Sequence, residues 1–145
     1  MSKMNILKAT IEDADEIFLL DKKYLGDGWS KKSIEEIIQN DNSIKIYIAK
    51  DEIIKAYVIF RIVENEIELL RIAVEETSRS RDIATKLLRY IINVFDIKKV
   101  FLEVRESNNI AINFYKKQGF IKIGIRKSFY NNPKENAISM KLKIE

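Results

Sequence analysis

The sequence predicts an α/β fold in which one mixed, mostly antiparallel sheet of about seven strands is flanked by about four helices. Segments with apolar residues at helical spacing alternate along the chain with segments in which every second residue is apolar. Three strand-like segments between residues 44 and 74 follow one another through two-residue turns, a pattern typical of antiparallel neighbours. The length of 145 residues, without a linker-like stretch, predicts one domain over residues 1–145.

The first half of the chain is predicted to contain a strand at 5–9, helices at 11–25 and 31–40, and strands at 44–50, 53–63 and 66–74. Thr10 and Ser30 are the residue types that cap helix N-termini, and Asp13 follows Thr10 at the capping-box spacing. Gly26 is expected to end the first helix.

The second half is predicted to contain a helix at 81–94, a strand at 100–104, a helix that ends at Gln118, and strands at 120–129 and 137–144. Ser107 or Asn108 is expected to cap the second of these helices, and Gly119 to end it.

The composition excludes several kinds of site. Without cysteine or histidine, the chain has no disulfide, no thiol nucleophile, no Ser-His-Asp triad and almost no route to a catalytic zinc site. A net charge of +4 is compatible with a phosphate-bearing ligand but too small to indicate nucleic acid. The apolar runs fall short of the ~20 residues of a membrane span. The start of the chain lacks a secretory pattern, so we expect a cytoplasmic protein that does not contact membranes.

A candidate anion site lies between the strand ending at Val74 and the next helix. Such a turn directs free backbone N–H groups and the positive end of the helix at one point. Arg79 and Arg81 add positive charge there, and Ser80 and Thr85 add hydroxyls. From these residues alone, an ordinary capped helix with solvated arginines is about as well supported.

The same segment resembles the acetyl-CoA signature of the GNAT superfamily of N-acetyltransferases, Q/R-x-x-G-x-G/A. It reads Arg79-Ser80-Arg81-Asp82-Ile83-Ala84, with Asp82 in place of the first glycine. The stretch from Leu102 to Phe120 resembles the next block of that family, and the resemblance covers nearly the whole chain.

Three further segments resemble the branch of the family that acetylates protein N-termini, including the N-terminal alanine of a ribosomal protein. They are Gly28-Trp29-Ser30, with glycine in place of proline, Arg126-Lys127-Ser128-Phe129-Tyr130, and Glu135-Asn136-Ala137-Ile138-Ser139-Met140.

The resemblance implies acetyl-CoA as co-substrate, no metal, and a protein or peptide N-terminus as acceptor. It implies Glu103 as general base and Tyr115 as donor to the departing sulfur, with Trp29 and Tyr130 at the acceptor. A bulge between Leu69 and Val74 is implied to free backbone groups for the pantetheine arm. The implied cofactor-binding residues are Ile72, Ala73, Val74, Arg79, Ser80, Arg81, Asp82, Ile83, Ala84, Thr85 and Asn108.

Each of these residues also has a plainer interpretation. Glu103 could be paired with Arg71 or Arg105, and Tyr115 could be a core aromatic residue. Asn108 could cap a helix, Tyr130 could be surface, and Trp29 could pin the turn between two helices.

Three alternatives to N-terminal acetylation remain open from the sequence. They are acetylation of another amine (a protein lysine, a polyamine or a metabolite), a CoA-sensing module without catalysis, and a basic nucleic-acid binder. Because the chain lacks cysteine and histidine, acetyl transfer is expected to be direct, without an acyl-enzyme.

Overall fold

A computed structural model describes residues 4–26, 28–40, 42–76, 78 and 82–145. The strands are β1 Asn5–Lys8, β2 Ile44–Lys50, β3 Ile54–Val63, β4 Glu66–Val74, β5 Lys99–Arg105, β6 Ile121–Tyr130 and β7 Glu135–Lys143. The helices are α1 Ala14–Leu25, α2 Lys31–Gln39, α3 Ile83–Val94 and α4 Asn109–Gln118. The predicted order of elements and the predicted α/β class are confirmed, with ends that differ by at most three residues.

All seven strands form one sheet in the order β1-β2-β3-β4-β5-β7-β6. Every neighbouring pair is antiparallel except β4 and β5, which run parallel and are joined through α3. A parallel neighbour requires such a crossover, because a short turn can only reverse the chain. The mixed, mostly antiparallel sheet is therefore as predicted.

Apolar side chains from the two faces of the sheet form two core clusters. One cluster contains the buried face of α3 together with Val100, Leu102 and Val104 of β5. The other contains Ile17 of α1 and Ile34 of α2, packed on β2 and β3. The face of the sheet that this second cluster covers is called the α1/α2 face. Successive residues of a strand point to opposite faces, so the polar residues that alternate with the β5 core positions point to the α1/α2 face. In the described part of the chain, no helix is long and apolar enough to cross a membrane.

The helix ends follow the local signals in the sequence. The Thr10 amide donates to Oδ2 of Asp13 at 2.8 Å, and the Ser33 amide donates to Oγ of Ser30 at 3.0 Å. The predicted first helix is wrong in one detail, because residues 11–13 form a 3₁₀ turn before α1 begins. Such turns are common at helix N-termini.

Two irregularities in β4 shape the centre of the sheet. The ladder between β4 and β5 stops after the pair of Leu69 with Leu102. The register of β4 against β3 skips Leu70, which is therefore the extra residue of a β-bulge. The bulge expected between Leu69 and Val74 is confirmed, and it turns Leu70 and Arg71 to the same α1/α2 face.

We expect Gly119→Ala to destabilise the protein by about 1 to 2 kcal/mol. Gly119 ends α4 at φ +105°, and an added Cβ would lie 3.1 Å from Cδ1 of Leu142. The control is Gly124→Ala, whose added Cβ would meet no atom of the described residues within 4 Å. Urea unfolding of both variants measures the difference, and equal losses would contradict this account of the α4 terminus.

Candidate active site

The candidate site lies where β4 and β5 part, beyond Leu69 and Leu102. The Glu75 amide donates to the Lys55 carbonyl, so alternate residues of β4 point their backbone groups towards β3. Ile72 and Val74 are out of phase with Glu75, and their N–H and C=O groups therefore point towards the β5 side. The two strands leave a cleft there, lined on one edge by peptide groups.

Glu103 lies on β5 beside this cleft, with its side chain on the α1/α2 face. Its register partner on β7 is Ser139, whose hydroxyl donates to Oε2. The other oxygen, Oε1, is 3.7 Å from Nε of Arg126. The Glu103 side chain is 22% exposed, so it remains within reach of solvent. The alternative in which Glu103 pairs with Arg71 or Arg105 is wrong, because each of those arginines has a different carboxylate partner.

Tyr115 lies on α4 and belongs to the core cluster below the cleft. Its ring packs against Phe114 and Phe120, with ring centroids 5.4 and 5.3 Å away. Burial raises the pKa of the Tyr115 phenol, and the nearby Tyr130 raises it further. Tyr115 is therefore a core aromatic residue that also keeps its proton at neutral pH.

Tyr130 and Arg105 form one wall of the cleft with the connection between β6 and β7. The Arg105 guanidinium lies 4.4 Å from the centroid of the Tyr130 ring and donates to Oε1 of Glu135 at 3.1 Å. It also donates to the carbonyls of Asn131 and Pro133, which fixes the turn between the strands. Burial raises the pKa of Tyr130, whereas Arg105 lowers it.

Arg71 forms the opposite wall with the connection between α1 and α2. Its Nε donates to Oδ1 of Asp21 at 2.7 Å, and the Tyr57 hydroxyl donates to the same oxygen. Asp21 is 1% exposed and Arg71 16%, so this is a largely buried ion pair. A Cβ added to Gly28 would lie 2.8 Å from Cζ of Arg71, so the backbone at Gly28 rests directly on the guanidinium.

The N-terminus of α3 faces the end of β4. Asp82 precedes the helix in the left-handed region, at φ +54° and ψ +29°, and makes no side-chain cap hydrogen bond. Its backbone C=O accepts from the Lys86 amide, which starts the helical hydrogen bonds. The amides of the first helical turn, Ile83 to Thr85, are therefore left without a cap from Asp82. The Asp82 side chain therefore does not cap α3.

The remaining predicted residues lie in different places. Ile83 is buried in the core, so its side chain does not line the cleft. Thr85 accepts from Nε2 of Gln118 at 2.9 Å, which ties α3 to α4. Asn108 caps α4 as predicted, with Oδ1 accepting from the Ala111 amide at 3.1 Å. Ala73 is buried on the α1/α2 face and Ala84 is partly buried. Arg79, Ser80 and Arg81 lie outside the described residues.

Trp29 packs against the α1/α2 core cluster rather than beside Glu103. It lines a hollow of about 290 Å³ between α2 and the start of β2, together with residues such as Ser33 and Ile44. Of the described residues that line this hollow, Trp29 is the one that the sequence predicted to lie at the candidate site. This placement favours the simpler interpretation, in which Trp29 pins the turn between the helices.

Sequence reasoning did not place Arg71, Arg105 and Ser139 at the candidate site. One signal was present for Arg105, which follows Glu103 by two residues on a strand and so shares its face. Ser139 becomes the partner of Glu103 through the β5–β7 register, which links residues far apart in the chain. Arg71 reaches the α1/α2 face because of the bulge at Leu70, which the side chains do not signal.

We expect the free energy of unfolding of Tyr115→Phe to fall less steeply at alkaline pH than that of the wild type. The folded protein retains the Tyr115 proton above the ordinary phenol pKa of 10.0, whereas the unfolded chain loses it. The free energy of unfolding is therefore unaffected by this group below pH 10 and falls above it, by up to about 1.4 kcal/mol per pH unit. Urea unfolding of both proteins between pH 8 and 11 measures the slopes, and parallel curves would contradict a retained proton.

Comparison with known proteins identifies the family. The sequence profile of the Acetyltransferase (GNAT) family matches residues 12–120. The ribosomal protein bS18-alanine N-acetyltransferase of Salmonella typhimurium is 29% identical over 149 aligned positions, with 99% of each chain covered.

Two solved structures share the fold. The crystal structure of the ribosomal-protein-S18-alanine N-acetyltransferase from Escherichia coli matches with a TM-score of 0.85 and 25% identity, over 99% of this chain and 95% of that one. Arabidopsis thaliana NAA60 in complex with acetyl-CoA matches with a TM-score of 0.86 at 18% identity, over 98% of this chain and 99% of that one, a likeness of fold alone. The chain belongs to the GNAT family of acetyltransferases.

Proposed function

We propose that this acetyltransferase moves the acetyl group of acetyl-CoA to the α-amine of a protein N-terminus, the N-terminal alanine of a ribosomal protein in particular. The observation that carries the proposal is the cleft between β4 and β5, which has peptide groups on one side and the Glu103 carboxylate on the other. The names of relatives that match over nearly the whole chain support this choice of acceptor.

An α-amine suits this site because it is easily deprotonated. Its pKa is near 8, whereas that of a lysine side chain is near 10.4. The amine must lose a proton before it can attack, since an ammonium group has no lone pair. Glu103 is proposed to accept this proton before the attack. As the C–N bond then forms and the C–S bond breaks, the nitrogen releases a second proton to solvent and CoA departs as the thiolate. Ser139 and Arg126 would keep the carboxylate facing the cleft during this step.

Tyr115 is proposed to stabilise the departing sulfur by donating a hydrogen bond. Burial raises the pKa of Tyr115 far above that of a thiol, which is near 8.5. Complete proton transfer from the phenol to the thiolate would therefore be unfavourable. A hydrogen bond from a phenol that keeps its proton stabilises the developing charge without this transfer.

Acetyl-CoA is proposed to bind backbone groups at the cleft. Its pantetheine arm carries amides, and peptide groups on the β5 side of β4, those of Ile72 and Val74, are proposed to contact them. The amides of Ile83, Ala84 and Thr85, which the Asp82 side chain does not cap, suit the pyrophosphate, because a helix N-terminus attracts anions. Arg79, Ser80, Arg81 and the amide nitrogen of Asn108 complete the proposed cofactor set. Tyr130 is proposed to contact the first residue of the acceptor, whereas the position of Trp29 assigns it a supporting role.

Incubation with acetyl-CoA and a panel of acceptors tests this function. The panel contains peptides that start with alanine, serine and other residues, and an N-terminally blocked peptide with free lysines. Mass spectrometry then locates the acetyl group. Acetylation of the blocked peptide or of polyamines alone would reject the proposal in favour of another amine substrate.

We expect Glu103→Gln to lower kcat by roughly 10²- to 10⁴-fold, the usual contribution of a general base. Affinity for CoA should stay near that of the wild type, because Glu103 is proposed to act on the acceptor. The matched control is Glu68→Gln on β4, where the carboxylate pairs with Arg61. Steady-state rates and calorimetry separate the two quantities. Activity within threefold of the wild type would make Glu103 a structural residue.

We expect Asp82→Gly to tighten CoA binding by at least several-fold. The substitution removes a carboxylate next to the proposed pyrophosphate site, where each charge pair at ~4 Å costs about 1 kcal/mol even in bulk water. It also relieves the left-handed conformation of Asp82 at φ +54°.

The control is Asp96→Gly, because Asp96 has a similar φ of +50° after the other end of α3. It should relieve comparable strain and leave CoA affinity unchanged. Calorimetric titration with acetyl-CoA at fixed salt compares the variants. If both variants gained CoA affinity equally, relief of backbone strain would explain the gain. If Asp82→Gly bound CoA more weakly than the wild type, the carboxylate would have a favourable role in binding.

A further inference from the structure

Arg71 has hydrogen-bonding capacity that the fold does not use. Its Nε is engaged by Asp21, but Nη2 is buried and has no hydrogen-bond partner among the described residues. An unpaired buried donor is costly, more so when it carries charge, and unexplained cases in folded proteins usually have a reason. The neighbouring Asp21 carboxylate already balances the charge of the guanidinium, so the vacant N–H groups suit a neutral acceptor such as a carbonyl oxygen.

The position of Arg71 places Nη2 on the side of the cleft where Glu103 and Tyr130 are proposed to meet the acceptor. The bulge at Leu70 turns its side chain to the α1/α2 face, which is also the face of Glu103 on the adjacent strand. Arg71 is close enough to Tyr130, on the opposite wall, to influence its titration. Asp21 and Tyr57, both almost fully buried, hold the guanidinium from behind.

Gly28 makes this placement possible. An added Cβ at Gly28 would lie 2.8 Å from Nη2 and 2.9 Å from Nη1, closer than such contacts allow. The backbone at Gly28 therefore covers one face of the guanidinium with no side chain in between. The segment Gly28-Trp29-Ser30 has glycine where the family pattern has proline, and the absence of a side chain leaves room for the guanidinium.

We propose that Arg71 is an acceptor-binding residue that donates from Nη2 to the first carbonyl oxygen of the acceptor peptide and so selects α-amines over lysine side chains. In a peptide N-terminus this carbonyl is two bonds from the amine nitrogen through Cα. A lysine side chain has methylene groups at that place, and it would leave the donor unpaired. Such a site rejects a lysine side chain strongly, because the buried Arg71 donor would then be left without an acceptor. The inference rests on the proposed α-amine acetylation.

The test compares two acceptors in three proteins. One acceptor is an alanine-started peptide, and the other is the same peptide with its first peptide bond replaced by a trans-alkene, which keeps the shape but lacks the carbonyl oxygen and the amide N–H. The proteins are wild type, Arg71→Met and Gly28→Ala. Gly28→Ala displaces the end of the guanidinium and leaves the Asp21–Tyr57 contact intact, so it serves if Arg71→Met does not fold.

We expect wild type to lose about tenfold or more in kcat/KM when the carbonyl is removed, the usual worth of a hydrogen bond from a charged donor. In both variants this loss should shrink to about twofold, because the donor is absent or displaced. KM for acetyl-CoA should not change. The control is Arg61→Met, whose guanidinium pairs with Glu68 on the neighbouring strand, and it should keep the wild-type ratio.

Two unfavourable outcomes can be told apart. If wild type acetylates the peptide and every variant shows the same loss on removal of the carbonyl, Arg71 is a structural ion pair and this inference is wrong. If wild type acetylates no peptide α-amine, the proposed function fails and the role of Arg71 fails with it.

Discussion

The parallel pairing of β4 with β5 ends early, and the candidate site depends on this. Both strands point their carboxyl ends to the same edge of the sheet because α3 carries the chain across. Ligands in open α/β sheets bind at such edges, where neighbouring chains diverge. The cleft beyond Leu69 and Leu102 gathers peptide groups from β4, a carboxylate from β5 and the N-terminus of α3.

Arginine–carboxylate pairs lie around the cleft, and they contribute differently to stability because they are buried to different extents. The pair of Arg126 with Glu103 involves a guanidinium that is 61% exposed, so solvent screens most of its energy. Arg105 has 31% exposure and organises the β6–β7 turn through several acceptors. Arg71 and Asp21 are the most buried, and loss of one partner would leave an uncompensated charge. The ion pair on the α1 side of the cleft is therefore the one least screened by solvent.

Two departures from the family pattern have physical explanations in the structure. Asp82 occupies a left-handed position, which aspartate tolerates better than most residues with a Cβ. Gly28 replaces a residue with a side chain at a point where the Arg71 guanidinium fills the space. In both cases the departure changes local contacts while the sheet and its cleft remain.

The sequence by itself determined the order of the elements, most of their ends and the family. These follow from local signals, such as the caps at Thr10, Ser30 and Asn108, and from periodicity within single segments. Only the tertiary structure decided which partners meet. Glu103 lies opposite Ser139 because of a register between strands 36 residues apart, not because of any neighbour in sequence. Arg71 faces Asp21, 50 residues away, because one extra residue at Leu70 reverses the alternation of β4. Registers and bulges are set by packing between distant segments, and no local pattern in this chain encodes them.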